Sequence, residues 1–225
     1  MVVDASGAGD YQSIGSAILG AKSKGVILVR AGTYNETLQV DRDVEIVGEG
    51  GSAKVIVEGE AVNHVVTFAS GSATVTGLSI RYLGVPSSGY AVGAVLVQAG
   101  TPIIDQCDLF SSAGSAIFIV GATAKPVIQN CTVRDSRDNG IYIYKDGGGT
   151  IDKCLISGNG SAGIKITSGG DPTVRECEIR DNRQAGILVE DNGGGSFTKC
   201  TISGVRPWVV DTGSRVTRTE NKPNA

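Results

Sequence analysis

Apolar and polar residues alternate along short segments of this 225-residue chain, and the segments recur at a nearly fixed interval. One phrase has branched aliphatic residues at every second position, which is typical of a strand with one buried face. Its starts are 22, 24, 23 and 23 residues apart, and its five copies are Ala94–Val97, Ala116–Ile119, Gly140–Ile143, Gly163–Ile166 and Gly186–Val189. An interval of this size indicates a repeat architecture.

The cysteines follow the same interval. Their separations are 24, 23, 23 and 23 residues, and the five are Cys107, Cys131, Cys154, Cys177 and Cys200. Each has an aliphatic residue two positions later, so both side chains face inward from a strand. Glycine-rich turns interrupt the chain every eight or so residues, and glycine totals 33. These features predict an all-β fold, a right-handed parallel β-helix solenoid with coils stacked ~4.8 Å apart.

The chain before the repeat has helical rather than strand spacing. Its apolar positions are Tyr11, Ile14, Ala17, Ile18 and Ala21. We expect a short capping α-helix here, with Asp10 as N-cap, covering the open end of the stack. The predicted organisation is a strand and capping helix over 1–25, coils over 26–210, and a tail or linker over 211–225. A long interval between repeats predicts a protruding loop over 81–90.

Composition and charge limit the classes of partner that the chain could bind. The net charge is −3, the isoelectric point is about 5.2, and no basic stripe occurs, which argues against nucleic acid. No apolar run approaches the ~18 residues of a membrane helix. Stacked cysteines have Cβ atoms ~4.8 Å apart, beyond disulfide range, so free thiols are expected, with no metal and no cofactor. Free thiols and the lack of a visible signal peptide predict a cytoplasmic location, or secretion if the chain lacks its signal.

Several segments of the first half resemble pectinesterase-like and pectin-lyase-like β-helices. They are Gly7–Ile14, Ala31–Thr37 and Ile46–Gly50. Later phrases such as Asn130–Val133 are similar to the generic β-helix repeat family. That family includes carbohydrate-active enzymes, copper-protein maturation factors and the β-helix region of an F-box ubiquitin-ligase adaptor. The resemblance covers nearly the whole chain and implies the fold more specifically than the function.

The catalytic signatures of those enzymes are not recognisable. The paired aspartates and arginine that the pectinesterase pattern implies are not found. The only histidine, His64, lacks partners in its segment, which favours a structural role. Asp146 and Asp191 follow strands two coils apart, so ~10 Å separates their backbones, near the separation used by inverting glycosidases. Both also precede glycine or asparagine-glycine, which is typical of turn residues.

The outward positions of the second phrase form the predicted binding face. It mixes aromatic and polar side chains, as sugar-binding clefts and protein interfaces do, and its candidate ligand-binding residues are Phe118, Tyr142, Tyr144, Lys165 and Glu190. An alternative is that the aromatic residues only pack on neighbouring columns. The first functional hypothesis is a non-enzymatic recognition or scaffold module that binds a protein or an extended glycan. The second is a carbohydrate-active enzyme acting on an acidic polysaccharide.

Overall fold

The computed structural model describes residues 1–60, 62–85 and 91–222. Within these ranges the chain has one helix and 26 strands, and the strands form three parallel sheets, here called A, B and C. Sheet A contains β1 (Val2–Val3), β2 (Gly25–Val29), β5 (Val44–Gly48), β8 (Thr74–Thr76), β11 (Ile103–Asp105), β14 (Val127–Gln129), β17 (Gly148–Asp152), β20 (Asp171–Arg175), β23 (Gly194–Thr198) and β26 (Arg215–Thr219).

Sheets B and C have eight strands each. Sheet B contains β3 (Gly32–Asn35), β6 (Val55–Gly59), β9 (Ser79–Tyr82), β12 (Asp108–Ser111), β15 (Thr132–Arg134), β18 (Leu155–Ser157), β21 (Glu178–Arg180) and β24 (Thr201–Ile202). Sheet C contains β4 (Leu38–Val40), β7 (Val66–Phe68), β10 (Val95–Val97), β13 (Ile117–Val120), β16 (Ile141–Tyr144), β19 (Ala162–Ile166), β22 (Ala185–Val189) and β25 (Trp208–Val210). The chain visits A, B and C in turn, so each repeat is one coil of a right-handed β-helix, as predicted.

The interior is built from residues that repeat at equivalent positions. Ile117 pairs with Ile141, which pairs with Ile164, and that residue pairs with Ile187 on the next coil. All four are fully buried. Because the side chains alternate along each strand, the same residues that stack along the axis also form the apolar core.

The five cysteines occupy the same turn of successive coils, between sheets A and B. Each is free and at most 2% exposed. The residue before each cysteine is left-handed, with φ between 51° and 55°, and these residues are Gln106, Asn130, Lys153, Glu176 and Lys199. A single left-handed residue turns the chain sharply, which directs the following thiol into the interior.

Polar side chains also stack inside the solenoid, at the turn between sheets B and C. Asn159 Oδ1 accepts from the Ser136 amide at 3.0 Å, and Asn182 Oδ1 accepts from the Asn159 amide at 3.1 Å. The Asn182 amide group in turn donates to Ile156 O at 3.1 Å. The two asparagines therefore both stack and satisfy the backbone of the turn, at 0% and 3% exposure.

The helix α1 (Ile14–Gly20) covers the amino-terminal end of the core with Ile14, Ala17 and Ile18. The predicted Asp10 N-cap is wrong. Ser13 caps the helix and accepts from the Ser16 amide, because the helix begins three residues later than the apolar spacing suggested. The Asp10 carboxylate instead accepts from the Val2 amide at 2.8 Å.

Two other segments differ from their predictions. A tail or linker was expected over 211–225, yet β26 pairs with β23 along five residues, so the solenoid continues into this segment. The strand β26 has no alternating apolar pattern in the sequence, because it lies at the end of the stack and most of its residues are exposed. The loop expected over 81–90 begins later, since Arg81 and Tyr82 belong to β9. Residues 86–90 lie outside the described part of the chain.

Candidate functional site

The outward column predicted from the repeat lies on sheet C. The strand register places Leu96, Phe118, Tyr142, Lys165 and Leu188 side by side on successive coils. The column is not uniformly accessible. Leu188 and Phe118 are only 4% and 3% exposed, whereas Tyr142 and Lys165 are half-buried. The part of the column that a ligand could reach is therefore centred on β16 and β19.

Phe118 is covered by the histidine of an earlier coil. The His64 ring meets the Phe118 ring edge-on with centroids 5.2 Å apart, and His64 Nδ1 accepts from the Gly93 amide at 3.0 Å. Burial lowers the pKa of His64 to about 4, so the ring is neutral near pH 7 and able to accept that hydrogen bond. This pair packs the edge of the candidate face and gives Phe118 little surface for a ligand.

Tyr142 and Tyr144 form a stacked pair two residues apart on β16. Their ring centroids are 4.6 Å apart with an interplanar angle of 23°. The Tyr142 hydroxyl lies 3.3 Å from Thr167 Oγ1. Burial, followed by the charge of Tyr142, raises the pKa of the Tyr144 phenol. The two rings cover one face of each other, and the pair combines the remaining aromatic surface with hydroxyl groups, a combination that suits a sugar ring.

Charged groups border this stacked pair. Lys165 Nζ lies 2.7 Å from Glu190 Oε1 and 5.7 Å from the centroid of the Tyr142 ring. Lys145 Nζ lies 5.7 Å from the centroid of the Tyr144 ring. Four of the predicted ligand-binding residues thus share one patch, here called the tyrosine patch: Tyr142, Tyr144, Lys165 and Glu190, with Lys145 added by the structure.

The two candidate catalytic aspartates lie in the turns after β16 and β22, two coils apart. Asp146 and Asp191 are both left-handed, exposed turn residues, with φ of 64° and 53°. The Asp146 amide donates to Ser168 O and the Ser168 amide to Asp191 O, so Ser168 on the intervening coil lies between the two aspartates. Their 45-residue separation is one short of two 23-residue coils. The Asp191 carboxylate accepts from Ser168 Oγ at 2.7 Å, a contact between the turns of adjacent coils.

A different acidic column escaped the sequence analysis. Asp105, Gln129, Asp152 and Arg175 pair on successive strands of sheet A. They lie two residues before each cysteine, and the left-handed residue in between breaks the strand alternation, so they face outward although the thiols face inward. Arg175 binds Asp152 through Nε at 3.0 Å and Nη2 at 3.3 Å, and Asn130 donates to Asp105 at 2.8 Å.

The solenoid and its stacked outward columns define the class of protein as a right-handed parallel β-helix. The chain belongs to the family described as the right handed beta helix region, whose model matches residues 63–222. The described part of the chain contains no helix with the length and apolar character needed to span a bilayer.

Curated relatives match by sequence over part of the chain. The F-box protein dre-1 of Caenorhabditis elegans is 28% identical over 158 residues, which is 60% of this chain and 17% of the relative. Pectinesterase 2 of Citrus sinensis is 26% identical over 166 residues, which is 59% of this chain and 32% of the relative. The chain therefore matches less than a third of the length of either protein.

Solved structures match over nearly the whole solenoid. Pectin methylesterase from carrot superimposes with a TM-score of 0.69 and 13% identity, covering 100% of this chain and 83% of the carrot chain. Pectin methylesterase PemA from Erwinia chrysanthemi gives a TM-score of 0.66 and 13% identity, covering 96% of this chain and 80% of the other. At these identities the likeness is one of fold.

Proposed function

We propose that this protein is a carbohydrate-active β-helix that binds an extended acidic polysaccharide along sheet C, with the tyrosine patch at the centre of the binding face. The observation that carries the proposal is the parallel stack of Tyr142 on Tyr144 beside two lysines. Of the two functions predicted from the sequence, the sequence relatives and structural neighbours favour the carbohydrate-active alternative over the non-enzymatic module. They do not support the predicted cytoplasmic location.

The first support is the preorganised geometry of the patch. The two tyrosines stand on one strand that is paired on both sides, so their backbone is fixed by β13 and β19. Each ring gives a large apolar contact area with few rotatable bonds, so little conformational entropy is lost when a sugar stacks on it. Stacked coils extend the surface along the axis, which suits a linear polymer.

The second support is the arrangement of charge. Lys165 is engaged with Glu190, whereas no salt bridge of Lys145 occurs among the described residues. Lys145 is exposed at the end of β16, next to the Tyr144 ring. An ammonium group beside an aromatic platform is placed to pair with a carboxylate on a bound sugar, which favours an acidic polysaccharide over a neutral one.

Polysaccharide binding to the wild type and to Tyr142→Ala tests the proposal. We expect Tyr142→Ala to weaken binding of a polygalacturonate oligomer by about tenfold, the effect of ~1.4 kcal/mol. Phe110→Ala is the matched control, because Phe110 is a half-buried aromatic residue on sheet B. Lys145→Gln is expected to weaken polygalacturonate binding while leaving binding of a methyl-esterified oligomer unchanged. Wild-type polygalacturonate affinity in both Tyr142→Ala and Lys145→Gln, or an equal loss in Phe110→Ala, would remove the tyrosine patch from the proposal.

Catalysis is assayed separately. Asp146 and Asp191 are exposed in the turns that follow β16 and β22 of sheet C, on the same side of the solenoid as the tyrosine patch, and they remain the carboxylates to test. The enzymatic form of the proposal predicts release of methanol, unsaturated ends or reducing ends from pectin, lost in Asp146→Asn and in Asp191→Asn. Activity that persists in both variants, or none in the wild type, would leave these two turns without a catalytic role.

A further inference from the structure

We infer that a cleft between Arg137 and Arg183, on the turn between sheets B and C, is an anion-binding site. The cleft has a volume of about 230 Å³ and is lined by Asp135, Ser136, Arg137, Gly158, Gly160 and Arg183. The ligand chemistry that it fits is an oxyanion, namely a sulfate, phosphate or carboxylate group. The site lies outside the tyrosine patch and does not depend on the proposed function.

The repeat itself opens the cleft. Arg137, Gly160 and Arg183 follow each other at intervals of 23 residues, so they occupy the same turn of three successive coils. Their amides donate to equivalent carbonyls of the preceding coils, at Ser111, Ser136 and Asn159. The two arginine backbones are therefore two coils apart, ~10 Å, and a residue without a side chain lies between them.

Glycine is required at the middle position. A Cβ atom on Gly160 would collide with the carbonyl oxygen of Arg137. The space between the two arginine positions is thus a consequence of close packing of the coils. A guanidinium carries several donors in a planar fork, and two arginines that line one cleft can bind the oxygens of an oxyanion from both sides.

The charges around the cleft leave these two arginines available. Asp135 is held by Arg134 at 3.0 Å, and Asp181 is held by Arg180 at 2.8 Å. Within the described ranges, neither Arg137 nor Arg183 forms a salt bridge, and both are exposed. The cleft lining thus has two arginines and one carboxylate, Asp135, which is bound to Arg134, while Asp138 lies exposed beside Arg137. The lining therefore carries a local positive charge although the chain has a net charge of −3.

Titration of the protein with inorganic sulfate, inorganic phosphate and a uronate oligosaccharide tests the inference by calorimetry and amide chemical shifts. We expect saturable shifts at Gly158 and Gly160, and affinity at least about tenfold weaker in the Arg137→Gln, Arg183→Gln double variant. The Lys153→Gln, Lys199→Gln double variant also removes two positive charges, both from the turn between sheets A and B, and is the charge-matched control. Its affinity is expected to stay within about twofold of wild type.

The three ligands distinguish the source of the anion. Equal affinities for sulfate, phosphate and uronate support a site for small oxyanions, and tighter binding of the uronate oligosaccharide supports a polymer. Either result must be lost in the double variant and must persist in Tyr142→Ala, which separates this cleft from the tyrosine patch. Non-saturating shifts in the wild type, or unchanged affinity in the correctly folded double variant, would overturn the inference.

Discussion

The coils from β11 to β24 and the coils from β2 to β9 reach the same architecture by different means. In the later coils, identical residues stack, so that each cysteine, isoleucine or asparagine meets its own kind on the next coil. In the earlier coils, unlike residues make particular contacts. Tyr34 donates to Arg30 O at 3.0 Å, Glu36 binds the start of α1, and Asp43 accepts from the Ser72 amide at 2.7 Å.

The difference shows what a solenoid demands of its sequence. A coil between two similar coils needs only a repeated inward pattern, because its neighbours supply matching partners. A coil near an end has a neighbour of another kind, and its polar groups must find partners one by one. The earlier coils therefore lack a fixed period while burying comparable aliphatic residues.

Loss of a large core ring is expected to cost most, in either region. Phe197 and Phe68 are both fully buried, so truncation to alanine leaves a cavity of similar size. We expect each variant to lose ~3–5 kcal/mol of unfolding free energy in urea titrations. Thr173→Ala, at an exposed position of sheet A, is the control. A loss below ~1 kcal/mol for one phenylalanine only would show that the regions differ in apolar packing as well.

Breaking the asparagine stack is expected to be the next largest effect. Asn159→Ala removes the acceptor of the buried Ser136 amide and one donor to Asn182 Oδ1. An unsatisfied buried amide costs ~1–3 kcal/mol, so we expect a loss of about 2 kcal/mol. Asn35→Ala, at an exposed position of β3, is expected to lose less than ~0.5 kcal/mol. Equal losses would argue against the stack as the stabilising feature.

Removing the carboxylate at the helix is the corresponding change in the earlier region. Glu36 Oε1 and Oε2 accept from the Ile14 and Gly15 amides, both at 2.8 Å. Glu36→Ala is expected to cost ~1–2 kcal/mol and to increase hydrogen exchange in α1. Glu36→Gln keeps one acceptor oxygen, so we expect it to lose less unfolding free energy than Glu36→Ala. Unchanged exchange in α1 for the alanine variant would contradict a capping role.

Acidic pH is expected to weaken the contact between His64 and Phe118. The pKa of His64 is lowered by burial to about 4 from 6.5, so the unfolded chain binds a proton more readily than the folded chain between these values. Stability present above pH 6.5 is therefore lost as the pH falls towards 4. Because His64 is partly exposed, we expect its contribution to the unfolding free energy to fall by about 1 kcal/mol between pH 6.5 and pH 4.

His64→Gln isolates this contribution because His64 is the only histidine in the chain. Urea titrations between pH 7.5 and pH 4 are expected to show a smaller decrease for the variant than for the wild type. The other charges are the same in both proteins, so parallel curves would exclude His64 as the cause.

The thiols are expected to have the smallest effect. Cys131→Ala removes one buried sulfur and is expected to cost roughly 0.5–1 kcal/mol, like the loss of a methyl group. Hydrogen bonding to Cys107 and Cys154, together with burial, raises the pKa of Cys131, so its thiol stays protonated and unreactive. Thiol reagents are expected to modify the protein only at its unfolding rate. Rapid labelling of the folded protein would contradict a buried column.

More of the fold than of the candidate site is predictable from the sequence. The 23-residue interval and the alternating aliphatic residues fix the coil length and the inward positions, and Lys165 follows Tyr142 on the next coil as expected. Turn residues were less predictable. Asp146 and Asp191 lie two coils apart as expected, yet Ser168 of the intervening coil lies between them, and no local pattern records that contact. The outward direction of Asp105 and Asp152 does not follow from strand alternation, because a left-handed residue lies between each of them and the next cysteine.

What the sequence by itself determined is which residues face inward, because strand alternation and turn chemistry are local and repeat on every coil. What only the tertiary structure decided is which outward residues remain accessible. Phe118 is covered by His64 from an earlier coil, Tyr142 is not, and Gly160 leaves a cleft between two arginines. Accessibility depends on what neighbouring coils place above a residue. That is set by inter-coil register and by the lengths of insertions, which no single repeat contains.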